Sequence, residues 1–504
     1  MFYVRTVKTG SKSTAVQVIR YQDRKRIIVK HIGSAHNTQE ILGLKQTAYK
    51  WIEHETKQQS LFSSEKTKVS TLVPIEKLRN LGFRYALAHE TITKIFCLFQ
   101  FTELNNQLLL DLVMMRIIQP ASKIESLRML SEYFGIEHKR TDLYRSIGTI
   151  LSMKGIVERK IIDFAKKHFT FDFSIVFYDV TTLYFETFQQ DEDTVKEKGL
   201  RKKGFSKDNK GNQPQIVIGL IVTREGFPVS YDIFEGNTFE GKTFIPTITK
   251  FKKTYEVKNL IVVADAAMIS LSNVDKLVTN NLSYIVGARI GNLELEQIKK
   301  INKEIGGIDG NSTRIETKRG LLICDFSVKR YKKDKYEMEN QIQKATYLVN
   351  HPSKNKKSKF LKNKEKTGYV LNEKLIEKTK LLLGIRGYYT NLITQTNQTI
   401  ITHYHNLWHV EQVFRIAKSD LDIRPIYHFK RQTIEAHILI CFMALAVCKY
   451  MELQAGISTK AIIKLLKEVT DVRILNTITN EEFTIRTELS EQALTLLEKL
   501  SLSH

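Results

Sequence analysis

No disulfide framework, no secretory leader and no membrane-length apolar run are expected from this sequence. Of its four cysteines, Cys97 and Cys324 stand alone, and Cys441 and Cys448 lie seven residues apart in an apolar stretch. With no C-x-x-C pair there is no redox motif, and a reducing, cytoplasmic compartment is expected. The opening M-F-Y-V-R-T-V-K-T-G lacks the apolar h-region of a secretory signal. The most apolar stretch, Ile438 to Cys448, is flanked by Glu435, His437 and Lys449. It is too short for a membrane span and reads as a buried core helix. Acidic residues are also few: 54 Asp and Glu against 78 Lys and Arg leave a formal charge of +24. That imbalance calls for a polyanionic partner, and without a signal or a span nucleic acid is favoured over a membrane.

A chain of 504 residues is long enough for roughly three or four domains. Residues 1–60 alternate over Thr14–Arg20 and Arg26–His31, as a small β unit would. From 75 to 167 the period turns helical. One helix is expected over Gln107–Ile118, closed by Pro120, and Ser122 with Glu125 forms a capping-box pattern that opens the next. Arg116, Lys123, Arg128, Lys139 and Arg140 punctuate this region, which could read DNA ends or be a plain structural domain. At Phe173 the pattern changes to strand. Phe173–Tyr178, Gln215–Thr223, Pro228–Phe234, Asn259–Ala264 and Ser283–Gly287 are expected strands, with a helix near Thr243–Tyr255. Residues 291–395 fit no simple continuation of that sheet and hold a lysine cluster comprising Lys354, Lys356, Lys357, Lys359, Lys362, Lys364 and Lys366. Residues 396–452 return to helix, and 453–504 form a mixed tail. No internal repeat is present.

Two aspartates close hydrophobic strands: Asp179 follows Phe173–Tyr178 and Asp265 follows Asn259–Ala264. Each alone reads as a turn former. A pair on one sheet with a third carboxylate reads differently, because converging carboxylates repel unless they share divalent cations. The third is offered by Tyr404–Lys418, expected as one helix. There Glu411, Arg415 and Lys418 share a face at i, i+4 and i+7, while Leu407, Val410, Phe414 and Ala417 form an apolar stripe. The alternative for that face is a surface helix with i,i+4 ion pairs. Asp191, Glu192 and Asp193 read as solvated loop charge. His405 and His409 have the spacing of a zinc helix, but H-N-L-W-H lacks the glutamate of H-E-x-x-H.

In order along the chain stand Y-D-V-T-T-L-Y-F-E (178–186), G-F-S-K-D (204–208) with P-Q-I-V-I-G-L (214–220), F-E-G-N-T (234–238), V-A-D-A-A-M (263–268) and Y-x-x-L-W-x-x-E-x-x-F-R-x-x-K (404–418). Together they resemble bacterial insertion-sequence transposases of the Asp-Asp-Glu (DDE) class, in the branch with the signature Y-x2-R-x3-E-x6-K. The resemblance implies an α/β fold: an RNase H-like catalytic core with a β-rich insertion before the glutamate, joined here to a helical N-terminal region. It implies Asp179, Asp265 and Glu411 as catalytic residues and ligands of two Mg²⁺ ions, with Mn²⁺ as substitute. Tyr404 and Lys418 match the signature and would contact DNA, with Lys207 of the G-F-S-K-D loop a further DNA contact. The signature's Arg falls on Leu407, and Arg415 is placed to supply that charge. Ala266-Ala267 also departs from the usual Arg-Gly or Ala-Gly.

The implied activity is cleavage at terminal inverted repeats by metal-activated hydrolysis, then joining of 3′-hydroxyls to target DNA. The implied partners are element-end and target DNA, with a homodimer in a synaptic complex and no membrane. Two other readings stand beside it. One is an RNase H-like nuclease or resolvase that cuts without joining, and the other an inactive transposase-derived DNA-binding regulator.

Overall fold

The computed structural model describes residues 2–10, 13–22, 25–56, 75–195, 198–268, 271–317, 320–351, 358–364 and 368–500. Alternating β-branched residues open the chain as β1 (Phe2–Lys8), β2 (Thr14–Gln22) and β3 (Lys25–Ala35), an antiparallel sheet in that order. Helix α1 (Thr38–Thr56) backs it, and Val16, Val18, Ala35, Leu44 and Ala48 form a core of their own.

Strand β4 (Leu78–Arg84) leads into α2 (Ala86–Leu98), α3 (Gln107–Ile118), α4 (Lys123–Phe134), α5 (Arg140–Ser152) and α6 (Lys154–Phe169). The polar residues between them set the boundaries. Asn106 accepts from Leu109 N at 3.0 Å and Ser122 from Glu125 N at 3.2 Å, each satisfying a free N–H of the first turn. Gly135, at φ +68°, closes α4 in the left-handed conformation that suits glycine. Helix α3 is buried around almost its whole circumference, so its near-continuous apolar run is core sequence.

The central sheet begins with β5 (Ile175–Tyr184), β6 (Gln215–Val222) and β7 (Pro228–Glu235). Then come α7 (Glu240–Thr254), β8 (Ile261–Ala264), α8 (Leu271–Thr279), β9 (Ser283–Gly287) and α9 (Leu295–Ile305). Next are β10 (Ser312–Thr317), β11 (Gly320–Phe326), α10 (Val328–Asn350), β12 (Leu361–Lys364), β13 (Gly368–Leu371), α11 (Glu373–Lys380) and β14 (Ile385–Thr390). Eight strands join in the order β10-β11-β14-β9-β8-β5-β6-β7. The β5–β8 and β8–β9 pairings are parallel and the rest antiparallel.

This differs from the expectation for residues 291–395, which supply three strands to the same sheet. The physical reason is the edge of β9. Left unpaired it would expose backbone N–H and C=O groups, and β14 covers it through Tyr388–Gly287 and its neighbours. The part that does leave the sheet is narrower. Ser327 N donates to Gly384 O at 3.0 Å, closing an excursion whose small core is Met338, Ala345, Phe360, Ile376 and Leu383. Of the lysine cluster, Lys354, Lys356, Lys357, Lys366 and the Lys364 side chain lie outside the described residues, while Lys359 and Lys362 are exposed.

The chain ends with α12 (Asn397–His405), α13 (Trp408–Ser419), α14 (Arg431–Ala455), α15 (Thr459–Glu468), β15 (Asp471–Asn476), β16 (Glu481–Arg486) and α16 (Glu491–Lys499). Strand β15 pairs with both β16 and β4, which ties the C-terminal segment to the start of the helical region. Helix α14 is long and apolar enough to cross a membrane, a correction to the short run read from sequence. Its apolar window is 94% buried inside the molecule, against β7, α3, α5 and α15. It is the central core helix, and one continuous apolar core runs around it from Leu87 to Leu500.

Candidate active site

Register alone brings the two aspartates together. Parallel pairing of β5 with β8 ends at Tyr178–Ala264, so Asp179 and Asp265 are the next residues on adjacent strands. Asp179 does not end its strand, as the sequence suggested. The β-branched V-T-T run continues β5 to Tyr184 against β6, and Asp179 marks the point where β8 turns away. It is half-buried there, whereas Asp265 is exposed at the open end of β8. Burial pushes the Asp179 carboxyl up to about 6; Lys207 and the Val180 N–H oppose this, and Asp265 and Glu240 add to it.

The third carboxylate arrives on α13, whose Val410, Val413, Phe414, Ile416 and Ala417 are buried against the core. Tyr404–Lys418 is two helices rather than one. At the junction the backbone tightens to three-residue hydrogen bonds, Leu407 N to Tyr404 O at 3.0 Å and Val410 N to Leu407 O at 3.0 Å. Tyr404 thus ends α12, while Glu411, Arg415 and Lys418 share α13. The i,i+4 ion pair of the alternative reading is not formed: among the described residues Glu411 makes no hydrogen bond or ion pair, and neither does the Arg415 guanidinium. Asp179, Asp265, Glu411, Arg415, Lys418, Lys207 and Arg424 all line one open cleft of about 1060 Å³. Beyond Asp265 and Glu411 a second recess of about 1040 Å³ continues it, lined by Tyr404, Leu407, Trp408, Arg386 and Arg330.

Tyr404 is in place: its hydroxyl donates to Asp265 Oδ1 at 3.2 Å, and burial first, then Asp265, raises its pKa. Gly287 leaves room for it, since a Cβ there would collide with the Tyr404 hydroxyl. Lys207 reaches across to β5, donating to Val180 O at 2.6 Å and pairing with Glu240 at 3.0 Å. Lys418 is half-buried and paired with Asp208 at 3.4 Å, and Arg424 meets the same carboxylate at 3.2 Å. Desolvation lowers the Lys418 pKa, and Asp208 works against that. The buried Gln215 ties these loops together, donating to Phe205 O at 2.9 Å and Gly236 O at 2.8 Å. Its side chain thereby joins the G-F-S-K-D, P-Q and F-E-G-N-T segments.

Several other expectations change. Asp191 and Asp193 are loop staples rather than free charge: Asp191 accepts from Arg201 N at 2.9 Å, and Asp193 pairs with Lys202 at 2.8 Å. The histidines are divided between helices, His405 on α12 and His409 on α13, and His409 stacks on Trp408 at 4.0 Å. Two of the basic residues read as possible DNA contacts are committed internally: Arg116 is buried and donates to Ala121 O at 2.8 Å, and Lys123 meets His428 Nε2 at 2.6 Å. Arg128 is exposed and pairs with Glu125 on the surface at 2.7 Å. Sequence reading missed Glu240, Arg386 and Arg424. Each lies outside the motifs that carry the carboxylates, and none carries a local pattern that marks it.

The donors at the cleft suit a divalent cation. Asp179 Oδ1 accepts from Val180 N at 2.7 Å and Asp265 Oδ1 from Ala266 N at 2.6 Å. Among the described residues no protein group donates to the second oxygen of either. No three His, Cys, Asp or Glu side chains among those residues close tightly enough to cage an ion by themselves.

A family model described as Transposase DDE domain matches residues 170–447. Among solved structures, a cryo-EM piggyBac transposase synaptic complex with hairpin DNA is similar over 78% of this chain and 69% of that one, at 9% identity and a TM-score of 0.38. No curated protein matches the chain.

Proposed function

The chain belongs to the transposase DDE domain family, and from that premise we propose that it cuts and joins DNA at the ends of its own element. In this reading it binds terminal inverted repeats, hydrolyses the bordering phosphodiesters and joins the freed 3′-hydroxyls to target DNA. Strands β5 to β9 are then an RNase H-like core, within a bacterial insertion-sequence transposase that works on DNA as a homodimer in the cytoplasm. The observation that carries this is the meeting of Asp179, Asp265 and Glu411 on one cleft rimmed by Arg415, Lys418 and Arg424.

Each group has a part that follows from its surroundings. Asp179, Asp265 and Glu411 would hold two divalent ions, Mg²⁺ or Mn²⁺, which supply activation of the attacking oxygen and neutralisation of the leaving one. Tyr404 holds the Asp265 carboxylate in one orientation. Lys207 fixes the backbone beside Asp179 and keeps a positive charge there. Arg415, which has no ion-pair partner among the described residues, is available to a phosphate; Lys418 and Arg424 already share Asp208 and add positive potential to the wall.

The test supplies labelled duplex from the DNA bordering the gene together with a target plasmid, in Mg²⁺ or Mn²⁺. Cut ends covalently joined to plasmid are the expected product. Cut ends that are never joined would make the protein a nuclease instead, and binding without any cutting would make it a regulator.

A further inference from the structure

Away from the cleft, positive charge is concentrated at the start of the chain. Eight of the first 35 residues are Lys or Arg, and one, Asp23, is acidic. Six of the eight, Arg5, Lys8, Arg20, Lys25, Arg26 and Lys30, lie on the strands, whereas helix α1 behind them has two cations against three carboxylates.

The register shows which residues the sheet turns outward. Val16 and Val18 pack toward α1 with Leu44 and Ala48, so residues alternating with them face the other way. Tyr3 pairs with Ile19 and Ile19 with Ile28; Arg5 pairs with Gln17 and Gln17 with His31; Tyr21 pairs with Arg26. The Tyr3 and Tyr21 rings meet edge-on at 6.1 Å, which sets them on one face. On that face Tyr3, Tyr21 and Ile28 are 47%, 60% and 53% exposed, while Ala15 and Ile19 of the central strand are buried. Of the strand cations Arg5 and Arg26 lie on it, and the strands make their extensive contacts with one another and α1. Among the described residues neither Arg5 nor Arg26 has an ion-pair partner.

We propose that this outer face of β1–β3 docks in the major groove of duplex DNA and is the surface that reads the element ends. The inference deepens the function proposed above and rests on DNA being the partner. Three strands at about 4.8 Å spacing put the outer two roughly 10 Å apart, which fits a groove about 12 Å wide. The side chains are distributed to match. Arg5 and Arg26 lie on the outer strands, toward the two phosphate walls, while Gln17 lies on the central strand, toward the base edges. Glutamine can bond adenine through both of its polar atoms, and Tyr3, Tyr21 and Ile28 offer apolar surface to thymine methyls. A-form RNA is a poorer fit, because its major groove is too narrow for side chains to read. A second copy of this face would bring like charges, Arg5 and Arg26, to both sides of the contact.

The test uses the full chain and two fluorescein-labelled duplexes, one from the DNA bordering its gene and one unrelated, in an anisotropy titration at several salt concentrations. Arg5→Ala with Arg26→Ala should weaken binding to both duplexes roughly 10- to 100-fold and lower the salt slope by about 2. Gln17→Ala should narrow the preference for the bordering duplex by roughly 5- to 100-fold. Unchanged thermal melting of the surface variants shows that their fold is intact. If the wild type binds DNA and the sheet variants match it in affinity and slope, this inference fails alone. A double variant that changes oligomeric state without losing DNA affinity also overturns it, marking an interface between copies. If the wild type binds neither duplex, the function proposed above falls with it.

Discussion

At the scale of single residues, Asp179 is where the site's chemistry meets its stability. Its carboxyl titrates at about 6 in the fold against 3.8 as its ordinary value, chiefly because it is withdrawn from water. An acid whose pKa is raised by folding contributes stability that is fully present below about pH 4 and is lost as pH rises through 6. Asp179→Asn should therefore stabilise the metal-free protein by about 1–2 kcal/mol near pH 7–8, and leave it unchanged near pH 4. Urea melts in EDTA at the two pH values check this; an asparagine variant that is destabilised at pH 7 would contradict it. Asp179 and Asp265 were legible in the sequence because each closes or crosses a hydrophobic run, a local pattern. Arg386, Arg424 and Glu240 were not, because only the fold brings them to the cleft.

Among the elements, the junction of α12 and α13 decides where Glu411 stands. A single continuous helix from Tyr404 would have placed Tyr404 and Glu411 in fixed helical phase; the tightened turn at Leu407 alters that phase and lets Tyr404 meet Asp265. Leu407 is 8% exposed, part of the core while also lining both recesses of the cleft. Leu407→Ala should cost about 2–3 kcal/mol of stability, the lower part of the range for buried leucines because the site borders solvent. It should also reduce cleavage by more than the unfolded fraction accounts for, since Glu411 follows the junction directly. Urea midpoints and single-turnover cleavage on the same preparation separate the two effects. The position where the resemblance expects arginine is thus a packing residue, and cations reach the cleft from Arg415, Arg424 and Arg386 instead.

For the whole molecule, the sheet explains both what sequence pattern revealed and what it concealed. Strands β5 to β9 follow one another within about a hundred residues and carry clear β periodicity. The β9–β14 pairing joins segments separated by another hundred residues, a relation no local window contains. The topology makes a direct prediction. Replacing residues 328–383 with a short turn should leave a soluble protein that unfolds cooperatively, because Ser327 and Gly384 already touch. Deleting 291–395 should not, because it strips β9 of its partner and exposes an apolar sheet edge. Circular dichroism melts and size-exclusion profiles of the two deletions distinguish these outcomes.

The central claim is that three carboxylates from two strands and a helix act as one metal-dependent reaction centre. Strand cleavage of a labelled end duplex in Mg²⁺, measured for Asp179→Asn, Asp265→Asn and Glu411→Gln separately, tests it most directly. Each variant should lose cleavage altogether while still binding the duplex. Metal-dependent cleavage retained by any one of them, Glu411→Gln above all, would contradict the account.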